Sequence, residues 1–147
     1  ERLSVAFREA DAEDLPFEAG SFDAVMSTFG VMFTANQEAA AAELMRVCRS
    51  GGRIGLANWT PEGFVGEVFR TIGRHVPPPA GVRSPLEWGT EGRLAELFGK
   101  GAERIEVNRR HFIFRMRSPE FWIENWRATY GPMSKAFEAV GADGADT

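Results

Sequence analysis

A short apolar run at residues 22–26, with the sequence FDAVM, most constrains what this chain can fold into. It shows little alternation of polar and apolar residues, which is typical of a strand buried on both faces of a parallel sheet. An acidic loop at residues 11–14 lies between this run and an earlier strand candidate at residues 4–10. Open α/β sheets bind ligands outside the carboxyl ends of their strands, so the loop and the end of the run are candidate site positions. Composition alone favours an ordinary acidic surface loop before an ordinary core strand.

The other patterns of the chain predict alternating strands and helices. Further strands are predicted at residues 53–59 and, with a bulge near Arg109 or Arg110, at residues 104–117. Helices are predicted at residues 37–49 and 64–75, between Thr90 and Gly99, between Ser118 and Gly131, and at residues 133–140.

The start and end of the first helix have specific signals. Either Thr34, in a capping box with Gln37, or Asn36 is expected to cap its first turn. Two arginines fall in its predicted last turn, and the glycine pair at residues 51–52 is expected to stop it. Four residues are predicted to form its buried face: Ala40, Leu44, Val47 and Cys48.

Composition excludes several function classes. The 147 residues are 44% hydrophobic and 26% charged, which indicates one globular domain. A net charge of −4 argues against nucleic acid as a partner, and the chain has no apolar run of about 18 residues that would span a membrane. A single cysteine excludes an intrachain disulfide and favours a reducing, cytoplasmic location. One cysteine with two distant histidines does not make a zinc site, so no metal is expected.

Three blocks in order resemble the class I S-adenosylmethionine-dependent methyltransferases of the UbiE-like, or type 11, group. They are DAEDLPF at residues 11–17, GSFDAV at residues 20–25 and ELMRVCRSGG at residues 43–52. Cys48 and Ser50 stand where the family usually has leucine and proline. The resemblance covers residues 4 to about 60 well and the rest loosely. It implies an α/β fold with an incomplete Rossmann-like methyltransferase sheet, made of strands three to six of the family fold and flanking helices.

The resemblance also implies a domain organisation. Residues 1–147 are expected to form a single domain, the C-terminal portion of a methyltransferase domain, with a helical cap-like region at about residues 61–99 and 118–140. The family's glycine-rich cofactor loop and its ribose-binding acidic residue are expected upstream of Glu1.

The cofactor implied by the resemblance is S-adenosylmethionine, and five residues are expected to contact it. Asp11 would accept a hydrogen bond from the adenine amine, and the backbone N–H of Ala12 would bind a ring nitrogen. Leu15 would cover the adenine face, unless it is a plain core leucine. Ser27 or Thr28, at the end of the family's fourth strand, would contact the rest of the cofactor.

Three aromatic residues are candidates for substrate binding. Phe29 is expected to line the substrate entrance, and Trp59 and Trp88 are candidate pocket walls for which core or lid packing remains the alternative. No catalytic base is assigned, because methyl transfer needs one only where the nucleophile must lose a proton. A further aromatic set has helical spacing and is expected to pack in a core or cap helix: Phe121, Trp122, Trp126 and Tyr130.

The predicted function is therefore methyl transfer to a small-molecule acceptor, with no nucleic-acid or membrane partner. The alternatives are a non-catalytic relic or interaction domain and a nicotinamide-dependent Rossmann enzyme. Because the predicted third, fourth and sixth strands would each lack a neighbour within the chain, a homo-oligomer formed through exposed strand edges is also expected. Arginines in residues 104–117 would protect such an edge or, less simply, bind an acidic partner.

Overall fold

The computed structural model describes residues 4–141, which divide into two compact units. Within the described residues, the first unit consists of residues 4–61 and 81–106, and the second of residues 62–80 and 107–141. Each unit is built around its own set of helices. The expectation of a single domain with a cap-like region at residues 61–99 and 118–140 stays a prediction.

The first unit is built on a parallel β–α–β arrangement. Strand β1 (Phe22–Thr28) is followed by a 3-10 turn (Val31–Phe33), helix α1 (Gln37–Val47) and strand β2 (Cys48–Ala57). The two strands pair in parallel, with Val25 opposite Ile54 and Thr28 opposite Ala57. The predicted parallel strand at residues 22–26 and the α/β class of the fold are therefore confirmed.

Helix α1 ends two residues earlier than predicted, because its continuation enters the sheet. Cys48 already pairs with Phe22, and the register then shifts before Ala24 pairs with Arg53. Gly51 lies in this shifted segment with a φ of +70°, a conformation that favours glycine. A Cβ on Gly52 would lie 2.9 Å from the carbonyl oxygen of Asp23. The glycine pair thus allows a bulge in β2, and the expectation that it stops the helix was wrong.

Two predicted strands are not formed in the described part of the chain. Residues 4–10 and 104–116 carry no strand, and their apolar side chains are largely exposed: Phe7 is 95% exposed and Phe112 68%. A strand requires a hydrogen-bonded neighbour, and side-chain alternation alone does not provide one. The expectation of strands three to six is therefore corrected to two strands, which correspond to the predicted fourth and fifth.

Helix α1 supplies the central face of the first core. Its cap is Asn36, whose side chain accepts a hydrogen bond from the backbone N–H of Ala39, so the capping box with Thr34 is not formed. Three of the four residues predicted for the buried face are at most 5% exposed: Ala40, Leu44 and Val47. The fourth, Cys48, lies in β2 and is half-buried.

A buried arginine joins α1 to helix α3 (Glu91–Phe98). Arg93 is 6% exposed and donates to Gln37 at 2.9 Å, to Glu38 at 2.7 Å and to Glu96 at 2.9 Å. The hydrogen bond from Arg93 lowers the pKa of the Glu38 carboxyl. Gln37 in turn donates to the carbonyl of Ser84, just before a 3-10 turn (Pro85–Gly89). Several partners thus offset the cost of burying this cation.

Helix α1 also holds the acidic loop in place. Glu43 accepts a hydrogen bond from the backbone N–H of Leu15 at 2.7 Å and pairs with Arg46 at 2.6 Å. Arg46 donates to the carbonyls of Leu15 and Phe17 at 2.8 and 2.7 Å. The hydrogen bond from Arg46, together with that from the Leu15 N–H, lowers the pKa of Glu43 from 4.5 to about 2. One carboxylate–guanidinium pair therefore anchors residues 15–17 to the core.

The second unit is helical. It contains α2 (Phe64–His75), α4 (Pro119–Thr129) and α5 (Gly131–Val140), close to the predicted bounds. The aromatic set with helical spacing packs within this unit: the rings of Trp122 and Trp126 lie 4.8 Å apart, and those of Trp126 and Tyr130 lie 4.7 Å apart. Burial raises the pKa of Tyr130 to about 12. Among residues 4–141, none of the helices is long and apolar enough to cross a membrane.

The anchoring pair predicts a pH dependence of stability. Because the pKa of Glu43 is about 2 in the folded state against an ordinary 4.5, its contribution is complete above about pH 4.5 and is lost as the pH falls towards 2. Glu43→Gln should lower the melting temperature at pH 7 by several degrees. It should also flatten the decline of stability between pH 4.5 and pH 2, measured by circular dichroism.

The matched control is Glu67→Gln, which removes an exposed i,i+3 pair with Arg70 on α2 and should change the melting temperature little. Equal pH profiles for the wild type and Glu43→Gln would show that the pair does not stabilise the fold.

A close backbone approach at Gly89 predicts a second stability effect. A Cβ there would lie 2.7 Å from the Cα of Thr60 and would also clash with the carbonyl of Trp59. We expect Gly89→Ala to destabilise the protein by about 1–3 kcal/mol, because backbone atoms cannot move aside cheaply. Gly92→Ala, in α3 with nothing within 4 Å, should instead stabilise it by about 0.5 kcal/mol. Chemical denaturation measures both, and equal effects would contradict the clash.

Candidate functional site

The carboxyl ends of β1 and β2 carry an aromatic pair. Phe29 directly follows β1 and stacks on Trp59, with ring centroids 4.3 Å apart and an interplanar angle of 16°. Phe29 has a φ of +54°, which is uncommon for any residue except glycine and costs free energy in a bulky one. Its backbone N–H donates to the carbonyl of Ala57 at 2.9 Å, which holds this conformation. Two of the predicted substrate residues are thus brought together at the predicted edge of the sheet.

The end of β1 is shaped by Ser27. Its hydroxyl oxygen accepts a hydrogen bond from the backbone N–H of Val31 at 2.9 Å, which closes the turn after the strand. A hydroxyl that accepts one bond can still donate another. Thr28, the last residue of β1, is exposed. Ser27 therefore has a structural role that leaves it able to contact a ligand.

The acidic loop presents an acceptor beside a donor. The Oδ1 atom of Asp11 accepts a hydrogen bond from the backbone N–H of Glu13 at 2.9 Å, and its backbone carbonyl accepts one from Asp14 at 3.2 Å. Within residues 4–141, neither Oδ2 of Asp11 nor the backbone N–H of Ala12 has a hydrogen-bond partner. Asp11 is exposed and Ala12 half-buried, so both groups remain available to a ligand.

Three of the predicted cofactor residues line one pocket of the first unit. This pocket has a volume of about 460 Å³, and Ala12, Leu15 and Ser27 contribute to its wall along with apolar residues of β1 and α1. Asp11 and Thr28 do not line this pocket, but each is adjacent in sequence to a residue that does, Ala12 and Ser27 respectively. The acidic loop and the end of β1 therefore face a common space, although they are 12 or more residues apart in the chain.

Trp88 lies elsewhere in the first unit. Its side chain is fully buried, its ring lies 6.0 Å from that of Phe98, and its carbonyl accepts a hydrogen bond from Asn58. It is not among the residues that line the pocket with Ala12. This burial favours core packing, the alternative left open by the sequence, and a substrate contact of Trp88 stays a prediction.

Two positioning residues were missed by the reasoning from sequence. Glu43 was noted only as part of a motif, and Arg46 as part of that motif and as a cation in the last turn of the helix. Both hold the backbone of residues 15 and 17 beside the pocket. Glu13 adds a third tie, since its side chain accepts a hydrogen bond from the backbone N–H of Asn36 at 2.8 Å. The available signal was the spacing of Glu43 and Arg46, which places opposite charges on one helix face.

No group of three or more histidine, cysteine, aspartate or glutamate side chains is placed to hold a metal ion in the described part of the chain.

Comparisons with known proteins agree with the resemblance. Residues 1–56 match the family model described as a methyltransferase domain. An uncharacterized protein of Mycobacterium tuberculosis is 41% identical over 140 residues, which cover 94% of this chain and 51% of the relative. A demethylmenaquinone methyltransferase of Deinococcus radiodurans is 42% identical over 82 residues, covering 54% of this chain and 34% of that protein.

Among solved structures, a methyltransferase of Thermotoga maritima, described as S-adenosylmethionine-dependent and a possible histamine N-methyltransferase, gives a TM-score of 0.49 at 23% identity. The match covers 62% of this chain and 42% of that one. The chain spans about half the length of the mycobacterial relative. Residues 1–56 match the methyltransferase domain family, which confirms the resemblance over this segment of the chain.

Proposed function

We propose that the protein transfers a methyl group from S-adenosylmethionine to a small-molecule acceptor. The observation that carries this proposal is the pocket shared by Ala12, Leu15 and Ser27, which lies wholly within the segment that matches the methyltransferase domain. Residues expected to bind one cofactor would need to share such a space. The name of the Deinococcus relative, a demethylmenaquinone methyltransferase, supports a small-molecule acceptor.

The acidic loop fits the adenine end of this cofactor. An adenine edge offers an amine that donates and a ring nitrogen that accepts, so it needs an acceptor beside a donor. Oδ2 of Asp11 and the N–H of Ala12 are such a pair, and both lack other partners within residues 4–141. Leu15 and the small side chain of Ala12 would let a flat base approach the pocket wall.

The end of β1 would orient the reacting end of the cofactor and the acceptor. When bound, S-adenosylmethionine supplies an electrophilic methyl group, and the protein supplies position and electrostatics. Ser27 would donate a hydrogen bond through its hydroxyl, and exposed Thr28 would offer a second one. The stacked Phe29 and Trp59 would form an apolar wall that excludes water and aligns the acceptor, since in-line transfer depends on alignment.

The strained conformation of Phe29 supports this role. Bulky residues with positive φ persist where surrounding contacts hold them, and they cluster at functional sites. Here the stack on Trp59 and the hydrogen bond to Ala57 hold Phe29 at the carboxyl edge of the sheet.

Asp11→Asn tests the adenine contact in the full-length protein. Asparagine keeps one oxygen for the N–H of Glu13 but replaces the other acceptor with a donor, which would oppose the adenine amine. We expect the dissociation constant for S-adenosylmethionine, measured by calorimetry, to rise about 2- to 10-fold, since one hydrogen bond contributes about 0.5–1.5 kcal/mol.

Asp14→Asn is the matched control, because it makes the same substitution in the same loop at a side chain that is not expected to meet the cofactor. Unchanged affinity in Asp11→Asn would remove Asp11 from the site. Failure of the wild-type protein to bind S-adenosylmethionine, or tighter binding of NADH, would instead overturn the proposed methyl transfer in favour of the non-catalytic or nicotinamide-dependent alternatives.

A further inference from the structure

A groove runs between helices α2, α4 and α5 within the second unit. Its volume is about 460 Å³. Its floor is apolar and is formed by two turns of α2 and one face of α5, including Val68, Ile72, Met133, Phe137 and Val140. The spacing of the α5 residues places them on a single stripe that faces the groove. The helical unit thus has an apolar groove that none of the predicted cofactor or substrate residues line.

The two ends of the groove differ in chemistry. At the N-terminal end of α2, the rings of Phe64 and Trp122 lie 5.1 Å apart and both line the groove. Towards the C-terminal end, α2 contributes Thr71 and His75, both exposed, whose side chains have no hydrogen-bond partner within residues 4–141. Glu67, the carboxylate that lines the groove, is already paired with Arg70. The groove therefore offers an aromatic end and a polar end.

The dimensions of the groove indicate which kind of ligand it can hold. The run of α2 that lines it is about 16 Å long at 1.5 Å per residue. A volume of about 460 Å³ lies within the range of small-molecule pockets. A stable protein–protein interface would bury about 800 Å² on each partner, far more than this groove presents.

We propose that this groove binds one elongated, uncharged small molecule with an apolar, preferably aromatic, body and a hydroxyl or carbonyl oxygen at one end. The body lies on Val68, Ile72 and Met133 with its aromatic part towards Phe64. The oxygen meets the hydroxyl of Thr71 and the imidazole of His75. An uncharged ligand is favoured because Glu67, the carboxylate that lines the groove, is already paired with Arg70. This binding is independent of the proposed methyl transfer.

The test uses 4-hydroxybiphenyl as the probe and biphenyl as its counterpart without the oxygen. Titration into the full-length protein is followed through the methyl NMR signals of Ile72 and Met133, with those of Val31 and Leu44 in the first unit as internal references. We expect saturable shifts of the groove signals only. Thr71→Val should weaken 4-hydroxybiphenyl about 2- to 5-fold and leave biphenyl unchanged, because it removes one hydroxyl at nearly constant volume.

Two substitutions should block the groove, and one should not. Ala136→Leu adds a larger side chain to the floor of the groove. Thr71→Trp adds one to its exposed wall, where it does not disturb the packing of the core. Each should weaken 4-hydroxybiphenyl at least about 10-fold, the loss expected when an apolar contact area of this size is filled. Ala139→Leu makes the change of Ala136→Leu on an exposed position of the same helix and should leave binding unchanged.

Three outcomes would overturn the proposal. One is the absence of saturable shifts at Ile72 and Met133. Another is equal binding by the wild type, Thr71→Trp and Ala136→Leu when all are folded by circular dichroism. The third is a concentration-dependent dimer in sedimentation that Thr71→Trp abolishes, since a second copy of the chain would then occupy the groove.

Discussion

The pair formed by Glu43 and Arg46 is the interaction on which the candidate site depends. Helix α1 presents both side chains to the acidic loop, and together they satisfy the N–H of Leu15 and the carbonyls of Leu15 and Phe17. These bonds add to the tight local turn at Asp11 and to the hydrogen bond that the Glu13 side chain accepts from the backbone N–H of Asn36. The position of a loop expected to bind a cofactor is thus set by a helix that begins 20 residues further along the chain.

The two units differ in architecture. The first combines a parallel strand pair, a buried arginine network and the pocket next to the acidic loop. The second is an aromatic helical cluster with an apolar groove of its own. Methyl transfer by the whole protein, its acceptor and its association into oligomers stay proposals or predictions, and the chain spans about half of its mycobacterial relative.

Several residues of the candidate site could be named from the sequence. The family resemblance implied Asp11 and Ala12, whose contact with a cofactor stays a prediction, and positions at strand ends indicated Phe29 and Trp59, which the structure stacks on each other. Trp88 shows the limit of such reasoning. A tryptophan in a proline-rich loop suggests an exposed pocket wall, but a neighbouring helix and Phe98 bury it completely. The roles of Glu43 and Arg46 were equally hidden, since their partners are backbone groups that carry no sequence signal.

The sequence by itself indicated where the helices lie, several of their caps and the parallel strand at residues 22–26, because these depend on periodicity and on side-chain chemistry close along the chain. Asn36, Thr90 and Ser118 each cap a helix through a neighbour three residues away. Only the tertiary structure decided that residues 4–10 and 104–116 form no strand and that Gly51 serves a bulge. A strand and a bulge both require hydrogen bonds to a second segment of the chain. The presence and register of that segment cannot be predicted from the local sequence pattern.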